Sequence, residues 1–135
     1  MLVVAAAALL DTNGRVLVQQ RRPGDRLAGM WEFPGGKLET GEAATAGLAR
    51  ELREELAIGV APSDLNPFTF WSGEADGREL LLLLFTCKCW TGEPRPHAAA
   101  ALAWQEPSDL RALPMPVPDM PLVDALARRL QRGGE

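Results

Sequence analysis

The sequence predicts an α+β fold in which a mixed β-sheet is sandwiched between helices in an α/β/α arrangement. Residues 2–10 are continuously apolar, which is typical of a strand covered on both faces. Leu48, Leu52 and Leu56 recur at four-residue intervals and form one apolar stripe of a helix. A second amphipathic helix follows a further series of strand patterns, so a helix is available for each face of the sheet.

The other elements are placed by apolar patterns between turn and break signals. Further strands are predicted over residues 15–20, 31–33, 67–72, 80–90 and 98–104. Turns, loops and breaks are predicted over residues 11–14, 21–30, 34–36, 59–64, 73–77, 92–96 and 114–121. Helices are predicted over residues 42–56, briefly over 107–110, and over 122–130 with Pro121 in the first turn. The turn after the first strand predicts that the first two strands form a hairpin, and the strand over 98–104 begins with alanines, which are poor β-formers.

Composition limits the kind of protein. With 135 residues, 47% of them hydrophobic, the chain is long enough for one domain over residues 1–135 with a core of its own. The formal net charge of -4 argues against a broad nucleic-acid surface, since backbone binding needs clustered Lys and Arg. The apolar N-terminus is too short for a membrane span and has no basic flank, so we expect a cytoplasmic protein. No unpaired apolar element demands a partner, so we expect a monomer.

The two cysteines, Cys87 and Cys89, have neither a second pair nor a histidine cluster nearby. We interpret them as reduced residues packed as small apolar groups and not as half of a metal site.

Three acidic residues are the strongest chemical signal in the chain. Glu51, Glu54 and Glu55 occupy i, i+3 and i+4 of the predicted helix, which places their carboxylates on one face. Like charges so arranged repel, and a hard divalent cation such as Mg²⁺ or Mn²⁺ is the best reason to keep them together. The alternative is a solvated acidic face in which Arg50 pairs with Glu54. A Gly-Gly turn and Lys37 just upstream favour a metal and polyphosphate site, because glycine lets the backbone approach a ligand closely.

This segment resembles the Nudix box, G-x5-E-x7-R-E-U-x-E-E-x-G-U, in which U is a bulky apolar residue. One defined position departs, because Ala57 stands where the family usually has the glycine that closes the helix. We expect this to cost about 1 kcal/mol in helix capping without touching a catalytic group. The matching positions are Gly36, Glu42, Arg50, Glu51, Leu52, Glu54, Glu55 and Ile58.

The resemblance extends over nearly the whole chain. Residues 31–39 (WEFPGGKLE) are similar to the segment that leads into the box in the branch of MutT and of CTP pyrophosphohydrolases. Arg21 and Arg22 match a basic pair of that branch, and residues 102–104 fit its last strand. Residues 118–122 resemble the segment before the last helix, where an Asn or Asp reads the base.

The resemblance implies a Nudix fold with a loop-helix-loop box, a Mg²⁺ cofactor (Mn²⁺ possible) and cleavage of a nucleoside triphosphate. It assigns metal binding to Glu51, Glu54, Glu55 and the backbone carbonyl of Gly35. Glu51 or a neighbour would also orient the attacking water, and Arg50 would position the glutamates by ion pairing.

Five further residues are candidates for contacts with the substrate, each with a structural alternative. Arg22 and Lys37 would contact phosphate, or else be surface charges. Arg78 would reach the base or phosphate, or else be an exposed turn residue. Phe33 would contact the base, or else belong to the core. Asp119 would hydrogen-bond a base edge, or else cap the last helix.

Two features leave the catalytic details open. Glu42 is interpreted either as a support of the loop or as an acid in the first turn of the helix. Relatives often carry one more glutamate, as metal ligand or base, before the Leu-Ala-Trp strand, where this chain has Ala98–Ala101. Either Glu93 or Glu106 substitutes, or the three acids of the Nudix box (Glu51, Glu54 and Glu55, the box acids) suffice, or turnover is slow.

Three functions therefore remain in view. The first is a MutT-type pyrophosphohydrolase that releases the monophosphate and pyrophosphate and sanitises 8-oxo-dGTP in the service of DNA repair. The second is a pyrophosphohydrolase of CTP or of a modified dCTP. The third is a non-catalytic Nudix-like module that binds a nucleotide, against which the retained Glu51, Glu54 and Glu55 argue.

Overall fold

The structure, a computed structural model, describes residues 1–131 and contains two β-sheets and two α-helices. Its strands are β1 (Leu2–Leu9), β2 (Val16–Gln20), β3 (Trp31–Glu32), β4 (Gly35–Lys37), β5 (Asn66–Ala75), β6 (Arg78–Cys87) and β7 (Ala101–Gln105). Its helices are α1 (Ala44–Leu56) and α2 (Asp119–Gln131), with short 3₁₀ helices at Pro62–Asp64 and Pro107–Ala112. The predicted α+β class with a mixed sheet is confirmed, and residues 132–135 of the predicted domain lie outside the described residues.

The larger sheet has the order β4-β1-β6-β5 and is mixed, because β1 runs parallel to β6 while the other pairs are antiparallel. The smaller sheet is antiparallel, with the order β3-β2-β7. Strand β1 is the centre of the fold, since its residues alternate between two separate cores. Side chains two apart in a strand share a face, so its continuous apolar run serves both sides at once.

Each core is closed by one helix. Helix α1 contributes Leu48, Leu52 and Leu56 to the core that contains Ala5, Ala7 and Leu9, as the four-residue spacing predicts. Helix α2 contributes its apolar residues to the opposite core, which contains the other face of β1; these are Leu122, Val123 and Leu126. The sandwich of sheet between helices is therefore confirmed.

The predicted hairpin of the first two strands is wrong. The chain starts one, with Asp11 N–H donating to the Arg15 carbonyl at 3.0 Å and a bridge between Leu10 and Val16. Beyond that point the strands separate, because β1 is already paired on both edges by β4 and β6. Strand β2 instead takes β3 and β7 as neighbours.

Two predicted breaks are in fact strand. Gly35 and Gly36 belong to β4, where a Cβ on Gly35 would lie 2.1 Å from the Ala5 carbonyl oxygen; glycine is needed there for close pairing and does not end the strand. Gly73 lies inside β5, and the turn shrinks to Asp76 and Gly77, so that β6 begins at Arg78.

Other differences are small and fall at element ends. Helix α1 begins at Ala44 and not at residue 42, and α2 begins at Asp119, before the predicted residue 122. Strand β7 starts only at Ala101, consistent with the low β-propensity of the preceding alanines. Strand β6 ends at Cys87, which is buried, while Cys89 is exposed, and both thiols are free. No helix within residues 1–131 is long and apolar enough to span a bilayer.

Candidate active site

A cavity of about 820 Å³ opens between the two sheets, bounded by the loop over residues 21–30, the β5–β6 turn and the segment before α2. This volume lies in the range of pockets that bind small ligands. The predicted site residues that line it are Phe33, Gly35, Lys37, Glu55, Arg78 and Asp119.

Glu55 is the one member of the predicted acidic triad that lines the cavity. Its Oε1 accepts hydrogen bonds from Gln19 Nε2 at 3.0 Å and from the backbone N–H of Gly35 at 3.3 Å. Burial raises the pKa of the Glu55 carboxyl to about 7, with the nearby carboxylates of Glu51 and Glu32 adding to the shift. Ionising a carboxyl group that is buried in this way costs free energy, and a bound cation would offset that cost.

Glu51 lies beside the same turn of the backbone. A Cβ on Gly36 would lie 2.4 Å from the Glu51 carboxyl carbon, so any other residue there would displace this carboxylate from its position. The Glu51 Oε2 accepts a hydrogen bond from Arg50 Nη1 at 3.0 Å. Burial raises the pKa of Glu51, while Arg50 opposes the shift.

Arg50 ties the loop before α1 to the helix. Its Nε and Nη2 donate to the two oxygens of Glu42 at 2.8 and 3.0 Å, a bidentate pair. These bonds, with the N–H of Glu39, lower the pKa of Glu42 to about 2. Glu42 precedes the helix, which has no acid in its first turn, so the first-turn interpretation of Glu42 is wrong and its contacts are those of a loop support.

Glu54 is placed differently from the other two acids. Its side chain is 60% exposed and lies 3.6 Å from Arg50; of the three box acids, only Glu55 lines the cavity. Among residues 1–131 no three acidic, histidine or cysteine side chains are already gathered as a metal cluster. The donors nevertheless fit a hard divalent cation chemically, since they are carboxylate oxygens and Gly36 leaves the space that the Glu51 carboxylate occupies.

Asp119 and Phe33 also line the cavity. Asp119 is the first residue of α2, is 8% exposed, and makes no side-chain hydrogen bond within the described chain, so the capping bond of the structural alternative is not formed. Burial raises its pKa to about 7, with Glu32 adding to the shift and Arg21 opposing it. Phe33 is 4% exposed and belongs to the core, and it also lines the cavity, so its position is compatible with both the core interpretation and a contact with the base.

Of the three residues predicted to contact phosphate, two line the cavity and one does not. Lys37 and Arg78 are exposed and line the cavity. The Arg22 side chain instead donates to the His97 carbonyl at 2.6 Å and does not line the cavity. Across the rim, Arg26 Nη2 lies 2.5 Å from Asp76 Oδ1 and joins the loop over residues 21–30 to the β5–β6 turn.

Sequence reasoning missed three residues of this site: Gln19, Arg21 and Glu32. Arg21 donates to Glu32 Oε1 through Nε at 3.1 Å and through Nη2 at 2.8 Å. Gln19 lies directly opposite Glu32 in the β2–β3 ladder. A glutamine inside a strand that is otherwise apolar and buried was the signal that could have found Gln19.

The alanine segment lies at the site without an acid. Ala98 and Ala99 line the cavity where the resemblance expects a glutamate nearby. Glu106 lines a second cavity of about 1100 Å³, together with Leu10 and Trp90, and lines no part of the first. Glu93 is exposed and lines neither cavity.

Comparisons with known proteins agree on a family. The model of the NUDIX domain matches residues 1–126. The CTP pyrophosphohydrolase of Escherichia coli is 32% identical over 124 residues, which cover 92% of this chain and 90% of that protein. The 8-oxo-dGTP diphosphatase of the same organism is 28% identical over 127 residues, covering 94% and 97%. The solution structure of the E. coli ORF135 protein superposes with a TM-score of 0.85 at 33% identity, covering 100% of this chain and 95% of that one.

Proposed function

The chain belongs to the NUDIX domain family and is a Nudix hydrolase, and we propose that it is a Mg²⁺-dependent pyrophosphohydrolase of nucleoside triphosphates with 8-oxo-dGTP as its substrate. Mn²⁺ would also serve as the cation in place of Mg²⁺. Water attacks a phosphorus of the polyphosphate, the phosphoanhydride bond breaks, and the products are the monophosphate and pyrophosphate. The monomeric state, the single domain over residues 1–135, the absence of nucleic acid polymer among its ligands and the cytoplasmic location belong to the same proposal.

One observation carries this proposal: a single cavity is lined by Glu55 and Gly35 and also by the buried Asp119. A nucleoside triphosphate needs both kinds of group, because its polyphosphate needs cations and its base needs hydrogen bonds. Lys37 and Arg78 also line the cavity, where their positive charge would meet phosphate oxygens. Arg22 is retained as a phosphate contact only if its bond to His97 opens.

The roles of the residues follow from these positions. Glu51, Glu54, Glu55 and the Gly35 carbonyl would hold a divalent cation, which when bound would neutralise the polyphosphate and lower the pKa of the attacking water. Arg50 fixes Glu51 through the bond at 3.0 Å. Asp119 hydrogen-bonds the base edge, and Phe33 contacts the base.

The box acids also supply the orientation of the water in this proposal. Neither Glu93 nor Glu106 lines the cavity, and Ala98 and Ala99 place no carboxylate there. Glu51 or a neighbouring box acid takes that role in this proposal, and of these acids Glu55 lines the cavity.

A second candidate substrate is CTP or a modified dCTP. It is favoured by the 32% identity to a CTP pyrophosphohydrolase over 92% of the chain. The non-catalytic module is the least supported function, because Glu51, Glu54 and Glu55 are all present.

The test is pyrophosphate release from 8-oxo-dGTP, dGTP, CTP, dCTP, 5-methyl-dCTP and ADP-ribose, with Mg²⁺, Mn²⁺ or EDTA. The wild type would be compared with Glu54→Gln and Glu55→Gln, and with Glu106→Gln as a matched change outside the cavity. We expect release from 8-oxo-dGTP to require the cation and to fall at least about 100-fold in the Glu55 variant, as expected when a group in the catalytic site is lost.

Each outcome assigns the function. Preferential cleavage of CTP or 5-methyl-dCTP would replace the substrate proposal with the second candidate. Tight nucleotide binding without release would establish the non-catalytic module. Loss of activity in Glu106→Gln would show that the acid in the second cavity takes part, against the role given to the box acids.

A further inference from the structure

Gln19 is a buried polar residue in an apolar strand. It is 4% exposed and follows Val16, Leu17 and Val18, which are also buried. Its Nε2 donates to Glu55 Oε1 at 3.0 Å, across 36 positions of sequence. On the neighbouring strand it lies directly opposite Glu32, so its side chain stands between two carboxylates of the cavity.

The other end of the same amide is unsatisfied. Gln19 Oε1 is the one buried side-chain N or O atom within residues 1–131 that has no hydrogen-bond partner. A buried acceptor without a donor costs folding free energy, and an apolar side chain of similar volume would avoid that cost. Gln19 is therefore a poor choice for stability, which points to a role in the site.

The geometry at Glu55 indicates what that role is. Both donors, Gln19 Nε2 and the Gly35 N–H, bind the same oxygen, Oε1. No hydrogen bond from the described part of the chain reaches Oε2. Two donors on one oxygen set the rotation of the carboxylate and leave the second oxygen available as a ligand. Groups that orient a metal-binding carboxylate act in this way.

We propose that Gln19 is a positioning residue for the Glu55 carboxylate: it holds Oε1 so that Oε2 is presented to a divalent cation. The proposal rests on the metal-binding role proposed above for Glu55. It extends the cation site to β2, a strand outside the loop-helix-loop segment.

The test is the variant Gln19→Met, which keeps the side-chain volume and removes the N–H donor. Gln105→Met is the matched control, because Gln105 lies on β7, adjacent to β2, and does not line the cavity. Mn²⁺ binding without nucleotide would be measured from the electron paramagnetic resonance signal of free Mn²⁺, and thermal unfolding would be followed in EDTA.

We expect Gln19→Met to raise the dissociation constant for Mn²⁺ about 10-fold, the lower end for groups that support metal ligands. Its unfolding midpoint in EDTA should equal or exceed that of the wild type, since the unsatisfied oxygen is gone. Gln105→Met should bind Mn²⁺ like the wild type. Unchanged Mn²⁺ binding in Gln19→Met would overturn the inference, and so would a lowered midpoint in EDTA, which would mark Gln19 as a structural residue.

Glu55→Gln separates this inference from the proposal beneath it. If Glu55→Gln binds Mn²⁺ as tightly as the wild type, the metal role of Glu55 fails and the role of Gln19 fails with it. If Glu55→Gln weakens binding and Gln19→Met does not, only the inference about Gln19 fails. When both weaken binding, Gln19→Met should add nothing in the Glu55→Gln background.

Discussion

At the scale of single residues, Arg50 shows how the site keeps its acids in place. Its guanidinium reaches both oxygens of Glu42, one oxygen of Glu51 and the Lys37 carbonyl. The family resemblance implied that Arg50 would pair with the glutamates, and the helical spacing offered Glu54, one turn away, as its partner on a solvated face; that contact is present at 3.6 Å. In the structure the contacts of Arg50 with Glu42 and Glu51 are shorter than its contact with Glu54. The planar guanidinium has several N–H donors and can bind two carboxylates on the same side.

Arg50→Lys should therefore lower activity although it keeps the charge. An ammonium group cannot make the bidentate bond to Glu42 and the bond to Glu51 together. We expect kcat/KM to fall about 10- to 100-fold and the Mg²⁺ concentration for half-activation to rise. Arg53→Lys, an exposed change on the same helix, is the control, and equal losses in the two variants would contradict the role of Arg50.

Asp119 should make stability depend on pH. Its folded pKa is raised to about 7, mainly by burial, so the folded state keeps a proton that the unfolded state has lost above pH ~4. Stability from this group is present at low pH and is lost as the pH rises through about 7. Urea unfolding at pH 5 and pH 8 should show a loss in the wild type larger by about 2–3 kcal/mol than in Asp119→Asn, since roughly two pH units below the folded pKa contribute about 1.4 kcal/mol each. Asp109→Asn, at an exposed site, should behave like the wild type, and a wild-type slope in Asp119→Asn would refute the assignment.

At the scale of elements, the end of α1 carries a cost that the sequence already predicted. Ala57 closes the helix at φ 60° and ψ 32°, and its N–H donates to the Arg53 carbonyl at 3.1 Å. This left-handed conformation suits glycine and strains alanine. The family pattern identified the position, and the exposed side chain makes no packing contribution to the core.

Ala57→Gly should raise the free energy of unfolding by about 1 kcal/mol, measured by urea denaturation. The matched change Ala61→Gly lies at φ -73° and ψ 133°, where alanine is unstrained. There glycine should lower stability, because it only adds freedom to the unfolded chain. A loss of stability in both variants would contradict the account of the helix end.

Which elements could be predicted depends on where their partners lie. Helix α1 was predictable because its stripe is local, as was the doubly buried β1 from its unbroken apolar run. The pairing of β1 with β6 was not, since it joins residues about eighty positions apart and depends on competition between strands. Strand β4 was missed because two consecutive glycines in a sequence are typical of a turn. Only the structure shows that they are needed for the close approach of Ala5 in β1. The box acids were predictable because their spacing is local to one helix. Gln19 was not, because its contact with Glu55 joins β2 to α1 across 36 positions of sequence.

At the scale of the whole molecule, the two cores share the strands β1, β2 and β6 and should unfold together. Each core has its own pair of tryptophans as reporters: Trp31 and Trp71 pack on the side of α2, while Trp90 and Trp104, stacked 6.1 Å apart, pack on the side of α1. Because β1 faces both cores, loss of one removes packing from the other.

This cooperativity has a direct measurement. Two variants would each keep one reporter pair and replace the other with phenylalanine. In each variant, urea transitions by tryptophan fluorescence and by far-UV circular dichroism should share one midpoint. Separate midpoints in either variant would show that the two sides of β1 unfold independently, against a single domain.

The Arg26–Asp76 contact at the rim has a consequence for the rates at which ligands come and go. It closes a ring between two loops fifty positions apart in sequence, and both side chains are more than half exposed. An exposed ion pair is weakened by dissolved salt, so this side of the mouth should open more readily as ionic strength rises. A nucleotide would then leave faster in concentrated salt even where its equilibrium contacts are unchanged. The residence time of the product, more than its affinity, would report the state of this pair.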